Sequence, residues 1–218
     1  MYMTNRAWIQ AAIDVEDYDT AKRIAWMALD AGAEWMEVGT PLLYKYGYSA
    51  IGEIRKAVGD KVTLVADYKC PYAGLAAENC AKQGADYVLL AAGYNDDLIR
   101  HGIEECGKWG IKPIFDLHIN PRDVTERVKE LADLGVEYLF THHYATRYLK
   151  DGSAEKVDTL EQIKAAKTDI KIGITSDDWD EARHAVANGA DWMIFGYVLR
   201  KPDPKSCREW IDMLHSER

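Results

Sequence analysis

Residues 31–39 read AGAEWMEVG, and the same grammar returns as QGADYVLLAAG (83–93), LGVEYLFTH (134–142) and NGADWMIFG (188–196). Each copy holds a glycine, a small residue, an acid, an aromatic residue and an apolar run. The glycines Gly32, Gly84, Gly135 and Gly189 recur about every 50 residues, the length of two strand–helix units. Each suits the position just past a helix, where φ must be positive. The apolar run after it reads as a buried parallel strand. Four further runs lie between the repeats: Trp8–Ile13, Val62–Ala66, Lys112–Asp116 and Lys171–Ile174. Helical patterns separate them. DYDTAKRIAWMALDAG (17–32) has an acidic start, apolar residues at 3–4 spacing and a glycine stop; NPRDVTERVKELADLG (120–135) repeats this, with Asn120 or Asp123 as its cap, and a shorter slot covers Tyr48–Val58. Eight strands alternating with helices allow an open doubly wound sheet. The fourfold repeat of two units favours closure into a single-domain (β/α)8 TIM barrel over residues 1–218, with the tail after Pro204 as a closing helix.

The bulk numbers agree with one soluble α/β domain. The chain has 218 residues, 48% of them hydrophobic and 29% charged. A net charge of −9 argues against nucleic acid or an anionic membrane as the main partner. No apolar run approaches the roughly 20 residues that span a bilayer, and the first residues lack the apolar core of a signal peptide. Cys70, Cys80, Cys106 and Cys207 show neither a C-x-x-C pair nor a zinc pattern, as expected of free thiols in a reducing cytoplasm.

In such a barrel the chemistry sits at the C-terminal ends of the strands. Collecting polar residues there gives Asp14, Glu37, Asp67, Lys69, Asp116, His118, His142, His143, Arg147, Thr175, Ser176, Asp177, Gly196 and Arg200. An acid at a strand end also serves as a helix N-cap, a reading that fits Asp177 equally well, and Asp116 and His118 could satisfy loop backbone. The convergence of Asp14, Glu37, Asp67, Lys69 and His142 on one rim is harder to account for in that way. Asp67 and Lys69 are two apart, hence on one side of their strand end. An acid beside Lys69 favours its ammonium form, a charged donor rather than a Schiff-base nucleophile. Glu37, one strand over, could join Asp67 in holding Mg²⁺. The metal would polarise a ketone and stabilise an enediolate, with His142 handling a proton from across the barrel.

The D-x-K at the third strand end resembles the orotidine 5′-monophosphate decarboxylase suite. EVGTPLLYKYG (37–47), IQAAID (9–14) and IFGYVLRKPDP (194–204) are similar to its 3-hexulose-6-phosphate synthase and 3-keto-L-gulonate-6-phosphate decarboxylase branch, nearly the whole chain matching in order. The resemblance implies a homodimeric barrel with active sites near the dimer interface and an Mg²⁺-dependent lyase. That lyase would decarboxylate a β-keto sugar acid, expected to be phosphorylated, or carry out the related aldol reaction. Carried over by position, Asp14 orients substrate or lysine, Glu37 and Asp67 hold the metal, Lys69 stabilises the intermediate, and His142 and Arg147 deliver the proton. Two departures stand out. The family's D-x-K-x-x-D has Tyr72 at its last position, where an acid normally reaches into the partner's site. The phosphate loops also differ: Thr175 and Ser176 stand where glycines are usual, Asp177 and Asp178 follow, and Gly196 precedes Tyr197, which leaves Arg200 to grip an anion. These departures also raise a different kind of protein, a binding barrel that has lost turnover.

Overall fold

The computed structural model describes residues 6–93, 95–117, 123–142, 144–148, 154–200 and 203–217, with side chains for all of these except 144–148 and 154–157. The barrel strands are β1 (Trp8–Ile13), β2 (Trp35–Val38), β3 (Thr63–Cys70), β4 (Tyr87–Ala91), β5 (Lys112–Asp116), β6 (Tyr138–His142), β9 (Lys171–Thr175) and β10 (Trp192–Phe195). They pair in parallel and close in the order β1-β10-β9-β6-β5-β4-β3-β2. This is the (β/α)8 barrel that the repeat implies. The helices are α1 (Tyr18–Ala31), α2 (Thr40–Tyr46), α3 (Ser49–Val58), α4 (Ala73–Lys82), α5 (Asp96–Lys108), α6 (Val124–Asp133), α7 (Thr159–Ala165), α8 (Trp179–Ala187) and α9 (Pro204–Ser216). Of the two caps considered for α6, Asp123 fills the role, accepting from the Glu126 N–H, while Asn120 lies outside the described residues.

Each element of the repeat has a structural duty. The four glycines take φ between 87° and 104°, the left-handed geometry that ends a helix without a Cβ clash. The acid that follows clasps the start of the preceding strand. Glu34 accepts the Ile9 N–H at 2.9 Å, Asp86 the Leu64 N–H at 2.7 Å, and Asp191 the Ile172 N–H at 2.9 Å. The equivalent donor for Glu137 would be residue 113, which is Pro113 and has no N–H. Glu137 instead takes the ammonium of Lys112 at 2.7 Å. Removing a clasp strands a backbone donor. Glu34→Ala, which also frees Arg6 and His215, is expected to lower unfolding free energy by about 1–3 kcal/mol, read from urea denaturation at pH 7; an unchanged midpoint would deny the clasp any role.

The aromatic residue of the repeat fills the floor of the barrel. Trp35 stacks on Trp8 (centroids 5.4 Å) and on Trp192 (5.6 Å), and Tyr87 meets Trp35 at 4.6 Å and Tyr138 at 5.2 Å. Gly173, opposite Trp192 in register, leaves room for the indole. Above these rings lie Ala12, Val65, Leu89, Ile114, Phe140 and Ile194. A second apolar layer joins the outer faces of the strands to the helices. With floor and middle sealed, polar residues continuing the inward alternation emerge at the C-terminal mouth.

Two elements depart from the expected pattern. The segment after β2 forms its own helix, α2, started by Pro41 and ended at Gly47. The segment after β6 is an antiparallel hairpin of β7 (Tyr144–Tyr148) and β8 (Ala154–Asp158), placed between barrel strands β6 and β9.

Candidate active site

β3 runs four residues past the expected Val62–Ala66, so Asp67 and Lys69 lie within the strand. Its pairing with β4 shifts register between Ala66 and Cys70, and Lys69 adopts φ +47°. That conformation is costly for a residue with a Cβ. Lys69 Nζ donates to Asp67 Oδ1 at 2.5 Å, and Thr40 Oγ1 donates to Asp67 Oδ2 at 2.6 Å. Glu37 and Asp67 are each 4% exposed. Gln10 Nε2 donates to Glu37 Oε2 at 2.5 Å. Asp14 is seated between two glycines: a methyl at Gly39 would strike Asp14 Oδ1 and the Ile13 carbonyl, and one at Gly196 would come within 3.0 Å of Asp14 Oδ2.

The electrostatics follow from this crowding. Burial pushes the Glu37 carboxyl well above its usual value, and the Asp67 charge pushes it further. Asp14 is raised for the same two reasons, burial first. Burial alone would lower Lys69, but Asp67 and Glu37 more than offset it, and its pKa ends above the ordinary lysine value. Lys69 is therefore a fixed cation. The Phe140 ring borders both catalytic candidates on this side, with Lys69 Nζ 5.7 Å from its centroid and the His142 ring 6.3 Å from it.

The structure thus brings together Asp14, Glu37, Asp67 and Lys69, with His142 on the same rim at the exposed end of β6. Thr175 ends β9 beside His142 in register. Arg147 lies on β7, where only the backbone is described, and His118 and His143 fall outside the described residues. Tyr72 is 77% exposed at the start of α4 and makes no side-chain cap there. Asp178, not Asp177, caps α8, accepting from the Glu181 N–H at 2.9 Å. Asp177 accepts instead from the Gly196 and Tyr197 N–H groups, both at 2.9 Å. Gln10, Thr40 and Gly39 escape the sequence reading. Only the T-P helix start at Thr40 carries a local signal.

The sequence profile of the orotidine 5′-phosphate decarboxylase / HUMPS family matches residues 8–206. The chain belongs to this family. It is 28% identical to 3-hexulose-6-phosphate synthase 2 of Staphylococcus saprophyticus, over 94% of this chain and 97% of that protein. It is 30% identical to the 3-hexulose-6-phosphate synthase of Bacillus subtilis, over 78% and 80% of the two chains. In fold it matches the crystal structure of 3-hexulose-6-phosphate synthase from Salmonella typhimurium, with a TM-score of 0.83 at 21% identity, covering 97% of this chain and 100% of that one. It also matches KGPDC from Streptococcus mutans, with a TM-score of 0.80 at 18% identity, covering 95% and 97%. The family's namesake reaction, decarboxylation, breaks a carbon–carbon bond, and the chain is a lyase of that class.

Mg²⁺, which the resemblance implies, fits the donor set at this mouth. Among the described residues Asp14, Glu37 and Asp67 crowd the Lys69 ammonium, with Arg200 a further attraction for Asp14, and a buried Glu37 stays ionised at low cost only beside further positive charge. The donors are carboxylate oxygens, which suit a hard cation. Among the described residues no group of three or more His, Cys, Asp or Glu side chains is placed to hold a metal ion, so the protein would supply at most two such ligands. Two carboxylates with water completing the shell is the usual arrangement for Mg²⁺.

A pH dependence follows from Glu37. Its native pKa lies above its unfolded value, so the native state holds the proton longer. The associated stability is complete below about pH 4.5 and declines as pH rises toward the native value. In metal-free buffer, Glu37→Gln is expected to gain stability relative to wild type between pH 4.5 and 8, leaving only the slope of Asp14. At pH 7.5, Mg²⁺ at about 100 times its Kd would stabilise wild type by about 2.7 kcal/mol and the variant by far less. Urea midpoints with and without Mg²⁺ check both statements; equal Mg²⁺ responses would remove Glu37 from the metal site.

Proposed function

We propose that this chain is an Mg²⁺-dependent lyase that decarboxylates a β-keto sugar acid through an enediolate. The observation that carries the reading is the Asp67–Lys69 pair with Glu37 buried on the neighbouring strand. Glu37 and Asp67 would hold the metal, whose chemistry when bound is to withdraw electrons from a coordinated carbonyl or hydroxyl oxygen. Lys69, fixed as a cation by Asp67, places positive charge where the oxyanion grows as the carbon–carbon bond breaks. Thr40 and Gln10 hold the two carboxylates so that little reorganisation is needed. Asp14, pinned between Gly39 and Gly196, orients a substrate hydroxyl. His142, at the open end of β6, returns a proton to the carbanionic carbon, with Arg147 assigned to the same task.

The aldol reading shares every one of these roles up to the proton step, and the names of the two relatives above, both 3-hexulose-6-phosphate synthases, favour it. Release of CO₂ from β-keto sugar acids, set against formaldehyde-dependent condensation with a ketopentose supplied both free and as its 5-phosphate, separates the two. Activity in neither assay, together with no metal-dependent binding of an enediolate analogue by calorimetry, would leave the non-catalytic binding barrel as the reading to adopt.

A homodimer belongs to the proposal. Tyr44 on α2, 79% exposed, and Tyr72 and Leu75 on the neighbouring unit give apolar surface next to the mouth. Tyr72 then contributes a phenol where relatives bring an acid. A cytoplasmic setting is also proposed. It suits four cysteines that are all unpaired, and among the described residues no helix is long and apolar enough to cross a membrane.

A further inference from the structure

Two backbone donors at the β9–β10 side of the mouth are already committed. One oxygen, Asp177 Oδ1, receives the consecutive N–H groups of Gly196 and Tyr197. Two successive amides converging on one point form an anion seat, and here the anion belongs to the chain itself. The neighbouring loop is closed in the same way. Ser176 Oγ donates to Glu181 Oε2 at 2.9 Å and accepts the Asp178 N–H at 3.2 Å, the Ser176 N–H goes to the Ile194 carbonyl, and Asp178 caps α8. Among the described residues the formal charges around the seat are those of Asp14, Asp177, Asp178 and Glu181, against Arg200, whose guanidinium lies 5.4 Å over the Tyr197 ring. Asp14 registers the Asp177 carboxylate as a repulsive neighbour and Arg200 as an attractive one.

We infer that Asp177 is a specificity-determining residue that fills this anion seat from within, and that the substrate end lying over β9 and β10 is an uncharged, hydroxyl-bearing terminus rather than a phosphate ester. A phosphate dianion would have to displace a carboxylate from two charge-assisted hydrogen bonds and then sit among further acids. A hydroxyl has no such cost. It finds acceptors in the Asp177 and Glu181 carboxylates and a donor in Arg200. The inference rests on the lyase reading only for the identity of the rest of the substrate.

The test uses ¹⁵N-labelled full-length protein, with the Gly196 and Tyr197 amide resonances followed during titration. Inorganic phosphate is expected to leave both amides unmoved in wild type and to shift them in Asp177→Ala, with affinity gained by about tenfold or more. Asp177→Asn keeps an acceptor for both amides and loses the charge, so its response should fall between the two. In parallel, wild type should bind a free ketopentose at least as tightly as its 5-phosphate, and Asp177→Ala should invert that order. Saturable phosphate shifts at these amides in wild type, or no gain in either variant, would overturn the inference. The readout needs no turnover, so the lyase reading stands or falls separately, on the Lys69 and product assays.

Discussion

Replacing Lys69 by alanine is expected to lower kcat/KM by about 10³-fold, which corresponds to about 4 kcal/mol of transition-state stabilisation. The size follows from three observations. The ammonium is held by Asp67 at 2.5 Å, its pKa lies above the ordinary lysine value, and it is the cation that meets Asp67 and Glu37 at the mouth. Its charge is therefore constant through neutral pH, and an alkaline fall in wild-type activity due to Lys69 belongs above pH 10.5. The loss should fall mainly on kcat, because charge on the reacting oxygen appears only as the bond breaks. The same change removes the ammonium that opposes the rise of the Glu37 carboxyl, which goes up further and steepens the loss of stability as pH rises. Lys69→Arg keeps the charge in a different shape and should recover stability more than activity. Steady-state kinetics and urea melts of the two variants, with circular dichroism to confirm folding, decide the matter. A less than tenfold loss in the alanine variant would take Lys69 out of the chemistry.

Gly173→Ala should be the most damaging single-methyl insertion in the barrel interior. Its Cβ would overlap Cε2, Cζ2 and Nε1 of Trp192, a fully buried indole that itself stacks on Trp35. The indole has no free side to move to, because the floor is filled by Trp8, Tyr87 and Tyr138. Overpacking of this kind costs about 3 kcal/mol, a fall in Tm of about 6–12 °C for a chain of this length. A double-mutant cycle identifies the cause. Trp192→Leu is destabilising alone, but adding Gly173→Ala to it should cost little, with a coupling of about 1–3 kcal/mol. Strict additivity would show that the methyl is harmful for some reason other than the indole.

The fold was legible because the repeat encodes it locally. The glycine and aromatic of each copy turned out to be helix stop and floor, and the acid a strand clasp in three copies and an ion-pair partner in the fourth, so one pattern located four strands and implied the four between them. Asp14, Glu37, Asp67 and Lys69 were legible because period-two alternation and strand polarity put them at one mouth. Their partners were not. Gln10 reaches Glu37 and Thr40 reaches Asp67 across 27 residues of sequence in each case, and such pairs depend on the register that closure imposes. The hairpin β7–β8 carries a local signal, the Asp151-Gly152 pair within a polar stretch, but no apolar run of the kind that marks the barrel strands. Asp177 was left open between cap and mouth for a physical reason. Two adjacent acids precede α8, either can cap it, and only the position of β10 decides that Asp178 caps while Asp177 turns to the Gly196 and Tyr197 amides.

Pro113 has a consequence for how the barrel feels its solution. Three quarters of the barrel are clasped by a carboxylate on a main-chain N–H, short bonds that mobile ions screen little. The quarter made of β5 and β6 relies on Lys112 and Glu137, both more than half exposed, and exposed pairs weaken as ionic strength rises. Salt thus weakens this quarter of the clasp more than the other three, at the closed N-terminal end of the barrel, beneath the strand whose far end carries His142.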